Sequence, residues 1–319
     1  MKYDNPIKGA ARGWAWNRIC DRIRSKDERR RARIFVLIGD TIEELRVAQT
    51  KGFSHFNVIG VDVRPEPVKA WREAGGLAIQ APLEAVIAFS KHDPSAVIAD
   101  FCGGISDVSF LTFLVSLFRT KLPGCIVMNL LRGRDEIDNY RPDNFLNFCK
   151  TAGDDRLSQV SKKRSFIVLM NLFQRIYSQT IATDLKIKTW PPTPEQFKAV
   201  EDQFKGFWPD FQRGLSPQFH DYQSKDSSQY FDSLAINSIG LDYMLLFGSR
   251  GEFKLGTKLS PEDRAYGLEQ MRNRAQFLVT SSGKYDIKSI KQRLAALEAV
   301  RTKKLLELKP HYRPKYEAA

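Results

Sequence analysis

The chain has 319 residues, 42% of them hydrophobic and 27% charged, with a formal net charge of +13. That is enough apolar material to bury a sizeable core, which excludes a disordered chain. The longest apolar stretches, around 110–118 and 166–170, fall short of the roughly 20 residues a membrane span needs, so no membrane partner is expected.

The charge is unevenly placed. Residues 1–33 carry 11 Lys/Arg against 4 Asp/Glu, residues 284–319 carry 10 against 4, and the 250 residues between them sum to zero. A neutral globule with two basic ends suits a polyanion, because Lys and Arg contacts to phosphates supply most non-specific nucleic-acid affinity. A pair of solvated basic faces is the bland alternative. The first residues hold charges and Trp14 and Trp16 rather than a leucine-rich leader, and a cytoplasmic protein is expected.

In chain order, residues 13–30 read as a basic amphipathic helix, with Trp16, Ile19 and Ile23 on one face. Five short apolar runs then alternate with helical stretches: RIFVLIG (33–39), NVIGVD (57–62), GLAIQ (76–80), AVIAD (96–100) and CIVMNLL (125–131). Runs without polar alternation indicate strands buried on both faces, and so a mainly parallel, doubly wound α/β sheet covered by helices. Further on, TPEQF (193–197) and SPED (260–263) are capping boxes that open helices, the second running to about Ala275. Residues 229–237 and 242–248 read as two strands of an antiparallel hairpin, and 286–308 as a Lys/Arg-rich helix with Ile290, Leu294, Leu297, Val300 and Leu305 at helical spacing. The expected organisation is a basic helical arm (1–32), an α/β domain (33–255) with an aromatic-rich insertion around 180–228, and a basic helical extension (256–319).

Cys20, Cys102, Cys125 and Cys149 form no CxxC pair and the four histidines have no metal-ligand spacing, so no metal site is expected and the cysteines read as thiols. A covalent mechanism through Cys102 would need more than its position, and a structural thiol is the stronger reading.

In open α/β sheets ligands sit outside the carboxyl ends of the strands. The residues closing those strands are Gly39-Asp40, Asp62, Gln80, Asp100 and Asn129 to Arg132. An acid closing the second strand can accept from two ribose hydroxyls, which marks Asp62 as a nucleoside ligand. The first turn, IGDTIEEL, has one glycine and three acids, with Thr41 and Glu44 spaced as a capping box. Negative charge there opposes a pyrophosphate and favours a cationic nucleoside.

In this order the sequence resembles the Rossmann-like (class I) S-adenosylmethionine-dependent methyltransferases over about residues 33–135, and to about 250 with the hairpin. VLIGD falls at their glycine-rich first motif, with one glycine where two or three are usual. GVDVRPEPVKAW falls at the acidic second motif, AIQAPLEA at the adenine loop and VIADFCGG at the fourth. The alternative of laying ADFCGGISDVSF (99–110) on the first motif leaves no acid after the next strand. The resemblance implies S-adenosylmethionine as cofactor, held at the methionine end by Gly39 and Asp40, at the ribose by Asp62 and at the adenine by Gln80, with Asp100 facing the acceptor. Arg132 and Arg134 either hold a substrate phosphate on the same rim or pair with Asp135 and Glu136. The Asp-Pro-Pro-Tyr-like motif of base amino-group methylation and the Pro-Cys of cytosine C5 methylation are missing, so the acceptor atom stays open. Two functions follow: a nucleic-acid methyltransferase, or a methyltransferase-like protein without catalysis that binds nucleic acid or serves assembly.

Overall fold

The structure is a computed structural model that describes residues 6–100, 113, 125–132, 195, 198, 218–223, 230–237, 262, 265, 269, 273, 276–277 and 279–307. Its centre is a parallel sheet of β1 (Ile34–Leu37), β2 (Val58–Asp62), β3 (Leu77–Gln80), β4 (Ala96–Asp100) and β5 (Cys125–Arg132), in the order β3-β2-β1-β4-β5. This is the Rossmann-like order, and the five expected strands appear within a residue or two of their apolar runs. The sheet continues antiparallel from β5 through β7 (Tyr230–Asn237) to β6 (Gln218–Gln223).

The hairpin expected between 229–237 and 242–248 is not shown. The backbone of β7 is paired on both edges, by β5 and by β6, and so has no edge left for a third strand. Residues 242–248 lie outside the described residues, as does most of the expected aromatic-rich insertion.

The connections β1–α3–β2 and β2–α4–β3 run outward, with α3 at Glu43–Thr50 and α4 at Pro65–Glu73, whereas β3–α5–β4 returns across the sheet through α5 (Leu83–Phe89). Right-handed crossovers place α3 and α4 on one face and α5 on the other. On the first face Ile34, Val36, Val58, Ala96, Ile98, Cys125 and Val127 lie in register and form one buried cluster with Leu45 and Ala48 of α3 and Trp71 of α4.

The basic helix expected over 13–30 is two helices, α1 (Pro6–Arg22) and α2 (Lys26–Arg31). The break falls where Ser25 caps α2: its hydroxyl accepts from the Glu28 N–H at 3.0 Å and Glu28 reaches back to the Ser25 N–H at 3.2 Å. Ala15, Trp16 and Ile19 of α1, with Ile23 just after it, belong to the core cluster, and Trp16 is fully buried against Phe53 at 5.3 Å between ring centres. Burying such a face stabilises the fold by about 1.5–3 kcal/mol for each large side chain.

The C-terminal helix α6 (Ile287–Glu307) packs against α5 and β3 through Ile290, Leu294 and Leu297, while Val300 stays 47% exposed. Lys291 lies over the Phe89 ring at 4.9 Å, and Tyr285 just before α6 donates to Glu84 at 2.6 Å. Of the helix expected from 260 to about 275, Glu262, Ala265, Glu269 and Asn273 are helical, as are described residues as far as Ser281. Among the described residues no helix is long and apolar enough to cross a membrane.

Candidate functional site at the carboxyl rim of the sheet

Register brings the strand-closing residues to one level. Asp62 pairs with Gln80 across β2 and β3, and Asp100 with Asn129 across β4 and β5. Leu37 is level with Val61 and Val36 with Ile98, so Asp62 and Asp100 flank the end of β1 and share the sheet face that α1 and α3 cover. Gly39 and Asp40 follow β1 directly into the space between them. No described residue lies within 4 Å of where a Gly39 side chain would project, so among the described residues the space beside its α-carbon is open.

Each of these groups has a definite setting. Asp62 is buried, and both its carboxylate oxygens are occupied: the Arg64 N–H donates to Oδ1 at 2.8 Å, Arg64 Nε to Oδ1 at 3.3 Å and Arg64 Nη2 to Oδ2 at 3.2 Å. The same guanidinium reaches across to Asp40, donating from Nη1 to Oδ1 at 2.8 Å. Those contacts, led by the hydrogen bond to Asp62, hold Arg64 further above its already high range. Gln80 is half-buried; its side-chain amide donates to the Val63 carbonyl at 3.1 Å, and its backbone carbonyl accepts from Arg293 of α6. Val63, next to the acid, is 60% exposed, an apolar surface at the rim.

The acidic first turn is not a bare negative patch. Glu43 pairs with Arg46 at 2.6 Å and Asp40 with Arg64. Glu44 accepts from Trp16 Nε1 at 2.7 Å and Arg12 Nε at 3.1 Å, both of α1. The expected capping box of Thr41 and Glu44 does not form. Helix α3 begins at Glu43 with Ile42 as its cap and no side-chain cap bond, because the Glu44 carboxylate is drawn to α1 and the Thr41 hydroxyl accepts from Arg12 Nη2 at 3.3 Å. Burial pushes the Glu44 carboxyl above the ordinary glutamate range; Trp16 and Arg12 pull it back, and the nearby Asp100 charge pushes it up again. The electrostatic case against an anionic ligand is therefore weaker than the count of acids in this turn implies.

Arg132 is the last residue of β5, on the same rim in backbone terms; Arg134 lies outside the described residues. Sequence reasoning singled out the acids but missed Arg64, Arg12 and Arg293. The only local signal was Arg64, two residues after Asp62.

The opposite, amino edge of the sheet gathers the basic ends. Asn57, fully buried before β2, donates from Nδ2 to the Arg30 carbonyl at 2.6 Å, and its Oδ1 accepts from Arg301 Nε at 2.7 Å. Arg33 pairs with Glu298 at 2.8 Å, and Arg301 with the same carboxylate at 3.6 Å. Burial first, and then the Arg301 charge, lower Arg33 to about 10. Lys26, Arg30, Arg31 and Lys303 are exposed around this junction. Among the described residues no group of three or more His, Cys, Asp or Glu is placed to hold a metal ion. Cys20 and Cys125 are free thiols, Cys125 pushed by burial up to about 12; Cys102 and Cys149 lie outside the described residues.

The fold defines an α/β protein of Rossmann-like strand order. A scan of protein-family models matches none to this chain, and a search of the curated proteins finds no match.

Proposed function

We propose that the protein is an S-adenosylmethionine-dependent methyltransferase acting on a nucleic acid. The observation that carries this reading is Asp62, a buried carboxylate closing β2 at the carboxyl rim, level with Gln80, where ribose hydroxyls would be accepted. The open space beside Gly39 suits the methionine end, with Asp40 beside it, and exposed Val63 with Gln80 offers a flank for the adenine. Asp100, on the same face and level as Asp62, is the candidate to meet the acceptor. Arg132 and Arg134 would follow it toward a substrate phosphate. The cofactor would supply the methyl group on a sulfonium. The chain's own part is to fix the ribose, seat the amino acid and present the acceptor through Asp100. The basic surface at the amino edge would hold the polyanion by phosphate contacts.

A second reading, a methyltransferase-like protein that binds nucleic acid without catalysis, is favoured by one observation: the rim acids Asp40, Asp62 and Glu44 are each already paired with an arginine.

Calorimetric titration of S-adenosylmethionine and S-adenosylhomocysteine into the wild type and Asp62→Ala tests the cofactor. Micromolar binding that the substitution abolishes supports the enzyme reading. Absence of binding to the wild type, repeated with RNA or DNA present, supports the non-catalytic one. For the partner, the slope of log affinity against log salt should become shallower by about one for each phosphate-contacting cation removed from Lys26, Arg30, Arg31 and Lys303.

A further inference from the structure

We propose that Arg64 is a self-occluding latch on the nucleoside site: its guanidinium occupies the Asp62 oxygens that ribose hydroxyls need, and a ligand enters by displacing it onto Asp40. This rests on the nucleoside reading of Asp62 given above.

The geometry carries it. A ribose diol offers two donors to one carboxylate, and Arg64 Nε and Nη2 offer two donors to the same pair of oxygens, at 3.3 and 3.2 Å. The Arg64 backbone N–H takes a third position at 2.8 Å. A carboxylate has about four lone-pair sites, so a diol cannot find two of them while the fork is in place. The Asp62 side chain is 7% exposed and offers little surface around the occupant.

The occupant is nevertheless replaceable. The Arg64 side chain is 49% exposed, so it can swing without disturbing the core. Its third donor, Nη1, already rests on Asp40, which is 58% exposed. Asp40 therefore keeps a partner on the cation after Asp62 lets go, and no charge is stranded. The backbone N–H bond from Arg64 to Asp62 does not depend on the guanidinium and still fixes the carboxylate rotamer.

The latch imposes a selectivity with an unusual salt signature. The contact to be broken is ionic, and salt weakens ion pairs at the surface. An uncharged nucleoside gains nothing electrostatic from the site, so its affinity for the wild type should rise with salt. Without Arg64 that rise should vanish, leaving only the common salting-out effect. Screening of phosphate contacts produces the opposite slope.

The experiment titrates adenosine and S-adenosylhomocysteine into the wild type, Arg64→Ala, Arg64→Lys, Asp40→Ala and Asp40→Ala/Arg64→Ala at low and high salt, with thermal unfolding as the check on folding. Arg64→Ala is expected to bind adenosine about two- to fivefold tighter at low salt, the range an exposed ion pair accounts for. Arg64→Lys, which keeps the charge but loses the fork, should fall between. For adenosine, which lacks the amino-acid end placed beside Asp40, Asp40→Ala should weaken binding, and should have no effect once Arg64 is gone. Equal or weaker affinity in Arg64→Ala, with clear binding by the wild type, overturns the latch and makes Arg64 a bystander or a ligand contact. If neither the wild type nor Arg64→Ala binds at either salt, the nucleoside reading fails and the latch with it.

Discussion

Trp16→Phe separates the two contributions of a buried indole, its volume and its N–H. The ring sits in the core against Phe53, and Nε1 donates to Glu44 at 2.7 Å. Phenylalanine keeps most of the packing and loses the donor. A hydrogen bond to a charged group contributes about 1.5–3 kcal/mol, and the smaller ring leaves a gap worth about 1 kcal/mol. The expected loss near neutral pH is therefore about 2–4 kcal/mol, a fall of roughly 4–8 °C in Tm for a domain this size. The loss has a pH signature. Burial raises the folded-state pKa of Glu44 above its ordinary 4.5, so the group's contribution to stability is fully present below that value and is lost as pH climbs through the folded pKa. Removing a donor that pulls this pKa down raises it further and steepens the loss. The gap between variant and wild type in urea unfolding should be smallest near pH 4.5, where Glu44 holds its proton in both, and should widen to a plateau at alkaline pH. In a Glu44→Gln background Trp16→Phe should cost much less. A gap that does not change with pH, or one below about 1 kcal/mol, would refute the assignment of Trp16 as donor to an ionisable Glu44.

Asn57→Ala should destabilise by about 3 kcal/mol, since it leaves the Arg30 carbonyl and Arg301 Nε without a buried partner; hydrogen exchange in α6 should accelerate with it. Glu298→Gln removes the carboxylate that Arg33 and Arg301 both contact, and should cost about 2–4 kcal/mol in urea unfolding at neutral pH. That cost should shrink as pH rises through about 10, where the folded state releases the Arg33 proton; a constant cost would place the Arg33 charge elsewhere.

The five parallel strands were legible because a strand covered on both faces must be apolar at nearly every position, and their short apolar runs alternate with helical stretches. The rim followed from them, since Asp62, Gln80 and Asp100 are the residues at which the apolar runs stop. What the rim residues touch was not legible. Trp16 and Arg12 meet Glu44 across 28 and 32 positions, and Arg33 meets Glu298 across 265; such pairs have no periodicity to reveal them. Thr41 and Glu44 had the spacing of a capping box, and a long-range donor outcompeted the local one for the carboxylate. The strand at 230–237 was legible by its pattern, but its partner was chosen by nearness in sequence, and pairing instead went to β5 and to 218–223.

The positions of the two charged regions bear on which function is stronger. Asn57 and Arg33 lie just before β2 and β1, whereas Asp62 and Asp100 close β2 and β4, so the basic junction and the acid rim are at opposite edges of the sheet. Strands of five residues separate them by about 17 Å. A nucleic acid held only at the amino edge does not present a base to Asp100. Helix α1 spans that distance, with Arg12 bonded beside the first turn at the rim and Arg22 exposed near the junction with α2. An acceptor that follows α1 can be anchored at one edge and methylated at the other. An anchor that never leaves the amino edge is what the non-catalytic reading requires. The two readings thus differ in where bound nucleic acid protects the chain: over α1 and the rim for an enzyme, and over α2 and the end of α6 alone for an anchoring protein.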